Sequence, residues 1–122
     1  MKKLLISFSI LILSIVVVII YPNNKNNTLL GIYLKSTNQN NLILTEDNAP
    51  IVMYNKTNDK NVFDNLKSGD KIIITYDSIM ETYPARTNIY SCKFIEKGTL
   101  DNIPKDTLDK LQEIGWTFDL SN

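Results

Sequence analysis

The side chains best equipped for chemistry gather in one stretch, Asp77 to Thr87 (DSIMETYPART), which carries Asp77, Glu81, Tyr83 and Arg86. Two carboxylates serve glycoside hydrolysis only when they face each other about 5 to 9.5 Å apart across a cleft. Asp77 and Glu81 are the pair to consider for that work, although an aspartate ending a strand is explained as well by turn formation. Glu46 and Asp47 are a second neighbouring pair, and turn chemistry accounts for both. Tyr83 and Arg86 supply a flat aromatic ring and a planar fork of donors, the equipment of a contact surface. Asp77, Glu81, Tyr83 and Arg86 are therefore the candidate ligand-binding residues. The competing reading makes Tyr83-Pro84 a structural plug over Ile79 and Met80.

Other chemistries are poorly supplied. The 122 residues include no histidine, the usual general base and the commonest neutral metal ligand. A single cysteine, Cys92, can form neither an internal disulfide nor a thiolate metal cage. Cys92 alternates with Tyr90 and Phe94, so the expectation is a small core residue rather than a reactive thiol. No cofactor and no metal are expected, and no catalytic residue is assigned. The 13 basic and 13 acidic residues balance, but Lys2 and Lys3 precede the hydrophobic run at 4–20 and no acid does, which leaves 11 against 13 and a net of −2 downstream of that run. Scattered lysines with that balance argue against a nucleic-acid partner, which draws on clustered positive charge.

These residues need elements to hold them. Residues 4–20 (LLISFSILILSIVVVII) contain only serine as polar relief. As a helix they would span about 25 Å, just enough for a thinned bilayer core. The expectation is a transmembrane signal-anchor over residues 1–22, with a cleaved signal peptide as the rival. The stretch after the run lacks the small residues of a cleavage site. Lys2 and Lys3 would keep the N-terminus inside and place the domain on the extracytoplasmic face as a single-pass membrane protein, secreted if the segment is cleaved. Residues 23–28 read as a polar tether.

Period-two alternation marks a strand at 29–35, polar turn clusters bound strands at 42–45 and 51–54, and β-branched and aromatic residues mark strands at 71–77 and 88–96. Asn58 to Gly69 reads as a short helix, with Val62, Phe63 and Leu66 on one face. Three strands, a helix and two strands match the OB-fold, a five-stranded barrel. The predicted architecture is mainly β: a small OB-like barrel over 29–97 with one inserted helix, followed by a helical appendage over 98–122. In that appendage Pro104, the spaced Leu108, Leu111 and Ile114, and Gly115 define one helix. Trp116 and Phe118 should pack onto the barrel. The connection from Asp77 to Thr87 is then long for adjacent strands, and long loops are often functional.

Leu66 to Ala85 (LKSGDKIIITYDSIMETYPA) resembles the signature of the YobA-like exported proteins of Gram-positive bacteria. The likeness rests on Gly69-Asp70-Lys71 before a strand, Tyr76-Asp77 after it, and Glu81-Thr82-Tyr83-Pro84-Ala85 before the next. Ser78 stands where glycine is expected and Arg86 where a neutral residue is usual. The resemblance spans about Leu29 to Glu96 and implies a small bacterial β-barrel of uncharacterised function, with no catalytic residue.

The expected function is a non-catalytic binding or accessory module at the membrane, contacting a protein, peptide or glycan through the loop between its last two barrel strands. A hydrolase using Asp77 and Glu81 is one alternative. A small subunit whose anchor pairs with another membrane protein is another, weakened by a span without glycine or alanine.

Overall fold

A computed structural model describes residues 27–121. The predicted segment at 1–22 and most of the tether lie outside them. Among the described residues no helix is long and apolar enough to cross a membrane.

Five strands close into a barrel: β1 (Asn27–Leu34), β2 (Leu42–Leu44), β3 (Pro50–Asn55), β4 (Lys71–Met80) and β5 (Ala85–Glu96). Around the barrel the order is β1-β2-β3-β5-β4, with β4 closing back on β1. Every pairing is antiparallel except β3 with β5. Closure gives every strand two hydrogen-bonded neighbours and so limits the edge that a sheet this small would otherwise expose.

Alternating side chains divide into two cores. Tyr33, Ile43, Ile51, Met53, Ile72, Ile74 and Ile89 fill the barrel interior, with Leu66 capping them. Leu34, Leu42, Leu44 and Val52 point the other way, onto the outside of β1, β2 and β3. This explains why β2 is buried on both faces. The outer layer is covered by Ile103, Leu111 and Trp116 of the C-terminal segment. Each large apolar side chain so buried contributes roughly 1.5–3 kcal/mol, so the segment is part of the fold.

That segment holds a short 3-10 helix, Leu100–Asn102, and α1, Lys105–Glu113. Pro104 sits at the N-cap of α1 with φ −64°, which its ring fixes in advance. Asp106 in the first turn and Lys110 in the last suit the helix dipole. Termination is equally explicit. Gly115 takes φ +101°, its N–H donates to Gln112, and the Trp116 N–H donates to Leu111. Those paired bonds define a Schellman ending, whose usual apolar contact is supplied by Leu111 and Trp116. The stop thus sets Trp116 against the barrel, and Phe118 stacks on it at 6.4 Å and bridges to Ser36.

Three expectations need correction. Asn58 to Gly69 forms no helix but a chain of turns, with N–H bonds reaching back three residues from Val62, Asp64 and Leu66. Its Asn and Asp residues compete with helical bonding; the Asp59 carboxylate, for example, accepts the Asn61 N–H at 2.8 Å. Leu66 still caps the barrel, and Phe63 stacks on Tyr33 at 5.8 Å. The long loop is also absent: β4 runs to Met80 and β5 starts at Ala85, leaving only Glu81 to Pro84 between them. Ile79 packs against the barrel core and the buried Thr87 hydroxyl donates to the Ser78 carbonyl at 2.6 Å, so both arms continue as strand.

The third concerns the neighbours of Cys92, not Cys92 itself. Opposite Thr75 lies Ser91, but opposite Tyr76 lies Ile89, so Tyr90 is skipped and turns outward. Phe94 is exposed near the strand end, while Cys92 is half-buried against the barrel core. Burial pushes its thiol up to about 11, the opposite of a reactive thiolate.

Candidate functional site

The C-terminal segment covers the barrel wall only in part. Where it ends, a cleft of about 460 Å³ opens between it and the β4–β5 hairpin. Val52 and Tyr54, on the outer side of β3, form its floor, with Tyr83, Pro84 and Arg86 on one wall and Ile114 and Trp116 on the other. Gln39 and Asn40 complete the rim. The parallel pairing of β3 with β5 creates this arrangement: it sets Val52 beside Arg86 and Tyr54 beside Asn88, so their side chains share the outer face.

The polar stretch between β1 and β2 holds the opposite wall. Asn38 donates to the Gly115 carbonyl at 2.9 Å and accepts the Thr117 N–H at 3.2 Å, while the Thr37 N–H donates to the Thr117 carbonyl at 2.9 Å. One loop therefore ties down the end of α1 and leaves the Gln39 and Asn40 amides at the cleft. A smaller cavity of about 200 Å³, lined by Tyr54, Ser78, Met80, Arg86, Thr87 and Asn88, shares Tyr54 and Arg86 with the first.

Arg86 is exposed, and among the described residues the ion pairs are Lys35–Asp119 and Lys71–Glu96. Its guanidinium thus stands at the cleft beside aromatic rings, with no carboxylate partner among the described residues. An anionic or carbonyl-rich group in the cleft would meet a rigid, permanently charged fork.

The four predicted residues separate into two groups. Tyr83 and Arg86 line the cleft, and Asp77 and Glu81 do not. Asp77 is engaged locally: one oxygen accepts the Tyr90 hydroxyl at 2.8 Å and the other the Ser78 N–H at 2.7 Å. Those donors hold its carboxyl below the ordinary aspartate value, the Tyr90 hydroxyl most strongly. Glu81 is exposed in the hairpin turn. Tyr54, Trp116, Gln39 and Asn40 are the residues that sequence reasoning missed. Trp116 was legible as a packing group but not as a wall, because the Schellman ending that aims it is a three-dimensional feature.

A family model described as "Protein of unknown function (DUF3221)" matches residues 19–96, more than half of the chain. The chain belongs to the DUF3221 family. No curated protein and no solved structure matches it. The DUF3221 match ends with the last residue of β5, so the barrel is the family's part and the cleft's second wall, Ile114 and Trp116, comes from outside the match.

Proposed function

We propose that the chain is a non-catalytic binding or accessory module built on an OB-like barrel, held at the extracytoplasmic face of a membrane by residues 4–20 and contacting a protein, peptide or glycan in the cleft beside Arg86. The single observation that carries this is the cleft itself: an arginine without a carboxylate partner among the described residues, three aromatic rings and two side-chain amides converge on about 460 Å³. Support for the OB-like reading comes from the strand order and the parallel β3–β5 pair. In that fold ligands contact strands 2 and 3 and the loops between strands 1 and 2 and between 4 and 5. Gln39 and Asn40, Val52 and Tyr54, and Tyr83 and Pro84 occupy those places, a fold-level analogy. The likeness of Leu66 to Ala85 to the exported YobA-like proteins points to the same compartment. Aromatic rings and amides suit sugar faces and hydroxyls or a peptide backbone, and the guanidinium suits a carboxylate in either.

The test is affinity capture from solubilised bacterial membranes with the immobilised full chain, comparing wild type with Arg86→Ala and Tyr83→Ala. The reading requires a species retained by wild type and lost by at least one folded variant. Equal retention by all three folded proteins would place the contact elsewhere on the barrel.

A further inference from the structure

The β4–β5 hairpin reaches past the point where the chain joins the barrel. Asn27, the first residue of β1, lies opposite Tyr76, and its side-chain amide donates to the Asp77 carbonyl at 3.0 Å. Because β1 and β4 are antiparallel, the continuation of β4 from Tyr76 to Met80 runs out toward the side from which β1 begins. At a rise of ~3.3 Å per residue that overhang is at most about 13 Å, since the register break between Tyr76 and Ile79 shortens it. Residues 21–26 separate the apolar run from Asn27, and at ~3.5 Å each they reach about 20 Å at most. The hairpin therefore projects over most of the distance that the intervening chain can span.

Its tip is unlike a solvated turn. Met80 is 61% exposed and Tyr83 is 53% exposed. A tyrosine ring with its hydroxyl suits the headgroup level of a bilayer, where one end is apolar and the other wet. Glu81 and Thr82 lie between them and limit how deep such a tip can go. The opposite end of the barrel also exposes apolar groups, Phe94 and Ile95, but these lie beside the start of β4, facing away from where β1 begins.

We propose that the hairpin tip rests on the membrane that the N-terminal segment enters, with Met80 and Tyr83 in the interfacial layer. The seat orients the barrel and brings the cleft bordered by Tyr83 to the bilayer surface, where a partner is met in two dimensions. This rests on the anchor over residues 4–20 proposed above, and the experiment separates the two.

Full-length protein is reconstituted into phosphatidylcholine vesicles, ordinary or brominated on the acyl chains near the headgroup. Trp116, the sole tryptophan, gives the baseline, and Tyr83→Trp and Phe94→Trp each add one indole at an exposed site. Brominated lipid is expected to lower the emission added by Tyr83→Trp at least twofold and to leave that added by Phe94→Trp unchanged. Vesicle flotation of the same samples reads the anchor. A chain that floats with Tyr83→Trp unquenched overturns the tip contact and spares the anchor; so does equal quenching of both indoles. A chain that fails to float overturns both.

Discussion

The Tyr90 hydroxyl donates to Oδ2 of Asp77 at 2.8 Å, beside two successive breaks in the β4–β5 register. Between Thr75 and Tyr76 the ladder skips Tyr90 on β5, and between Tyr76 and Ile79 it skips a residue on β4, in the stretch that holds Asp77 and Ser78. Each shift turns a side chain out of the barrel sequence, and the two meet on the outside. The pair therefore braces the base of the hairpin that carries Tyr83 and Arg86. The Asp77 carboxylate, a candidate ligand contact in the sequence, is the acceptor at a strand irregularity.

That bond has a pH signature. The Tyr90 hydroxyl, followed by the Ser78 N–H, lowers Asp77 from its ordinary 3.8, and the same carboxylate raises Tyr90 from its ordinary 10.0. A lowered carboxyl contributes above its unfolded value and loses that contribution as pH falls through the folded one. A raised phenol contributes below its unfolded value and loses it as pH rises through the folded one. The brace is thus complete from about pH 4 to about pH 10, although solvent exposure keeps its energetic yield small. Carboxyl-carbon NMR should give Asp77 a midpoint below 3.8, rising in Tyr90→Phe. An unmoved midpoint would mean that the two side chains do not meet in solution.

Much of this architecture was legible in the chain, and the failures have physical causes. All five strands could be read: β1 from its alternation, β2 and β3 from the turn clusters that bound them, and β4 and β5 from their β-branched and aromatic residues. The helical reading of Asn58 to Gly69 gave Val62, Phe63 and Leu66 more weight than the five Asn and Asp residues around them, whose side chains bond locally. Hairpin length was misjudged because Ser78, Glu81 and Thr82 read as loop, whereas Ile79 and Thr87 pull their arms into the sheet. Of the site, Tyr83 and Arg86 were found from their residue types. Tyr54 and Trp116 were not, since a parallel pairing and a helix ending bring them to the cleft.

Exposure argues against Tyr83 as a plug. Pro84 is buried and Tyr83 is not, so the packing role falls to the proline alone. Tyr83→Ala should shift thermal unfolding by no more than about 0.5 kcal/mol, as exposed substitutions do. Trp116→Ala removes a buried ring from the outer core and should cost ~3–5 kcal/mol. Paired denaturation curves check both, and a large loss in Tyr83→Ala would return the ring to a packing role.

Two buried polar side chains join the barrel to the C-terminal segment. The Ser68 hydroxyl accepts the Lys35 N–H at 2.9 Å and donates to the Asp119 carbonyl at 2.7 Å. The Asp70 carboxylate accepts the Lys67 N–H at 2.9 Å and the Gly98 N–H at 3.2 Å. Gly98 lies so close to Gly69 that an added Cβ would fall 1.8 Å from the Gly69 carbonyl oxygen, so that crossing admits no side chain. Removing either acceptor leaves part-buried backbone donors without that partner, at up to about 1–3 kcal/mol. Ser68→Ala and Asp70→Ala should each lose that much, with faster amide exchange at Lys35 for the first and at Gly98 for the second. Loss of stability without those local changes would contradict the assignment.

Tyr33 offers the sharpest test of the barrel interior. Its ring is fully buried and stacks on Phe63 at 5.8 Å, and among the described residues its hydroxyl has no hydrogen-bond partner. Burial, with smaller contributions from Cys92 and nearby carboxylates, pushes the phenol well above its ordinary range, so it stays neutral. A buried hydroxyl without a partner costs desolvation free energy and returns nothing. Tyr33→Phe keeps the ring and deletes that cost, so stability should hold or rise by about 1–3 kcal/mol. Tyr33→Leu gives up the stacked ring and should fall below wild type, since aromatic pairs contribute ~0.5–1.5 kcal/mol beyond their area. Chemical denaturation of the two variants distinguishes ring from hydroxyl. Destabilisation by Tyr33→Phe would show that the phenol bonds to something in solution, such as an enclosed water, and that the barrel interior is wetter than its isoleucines suggest.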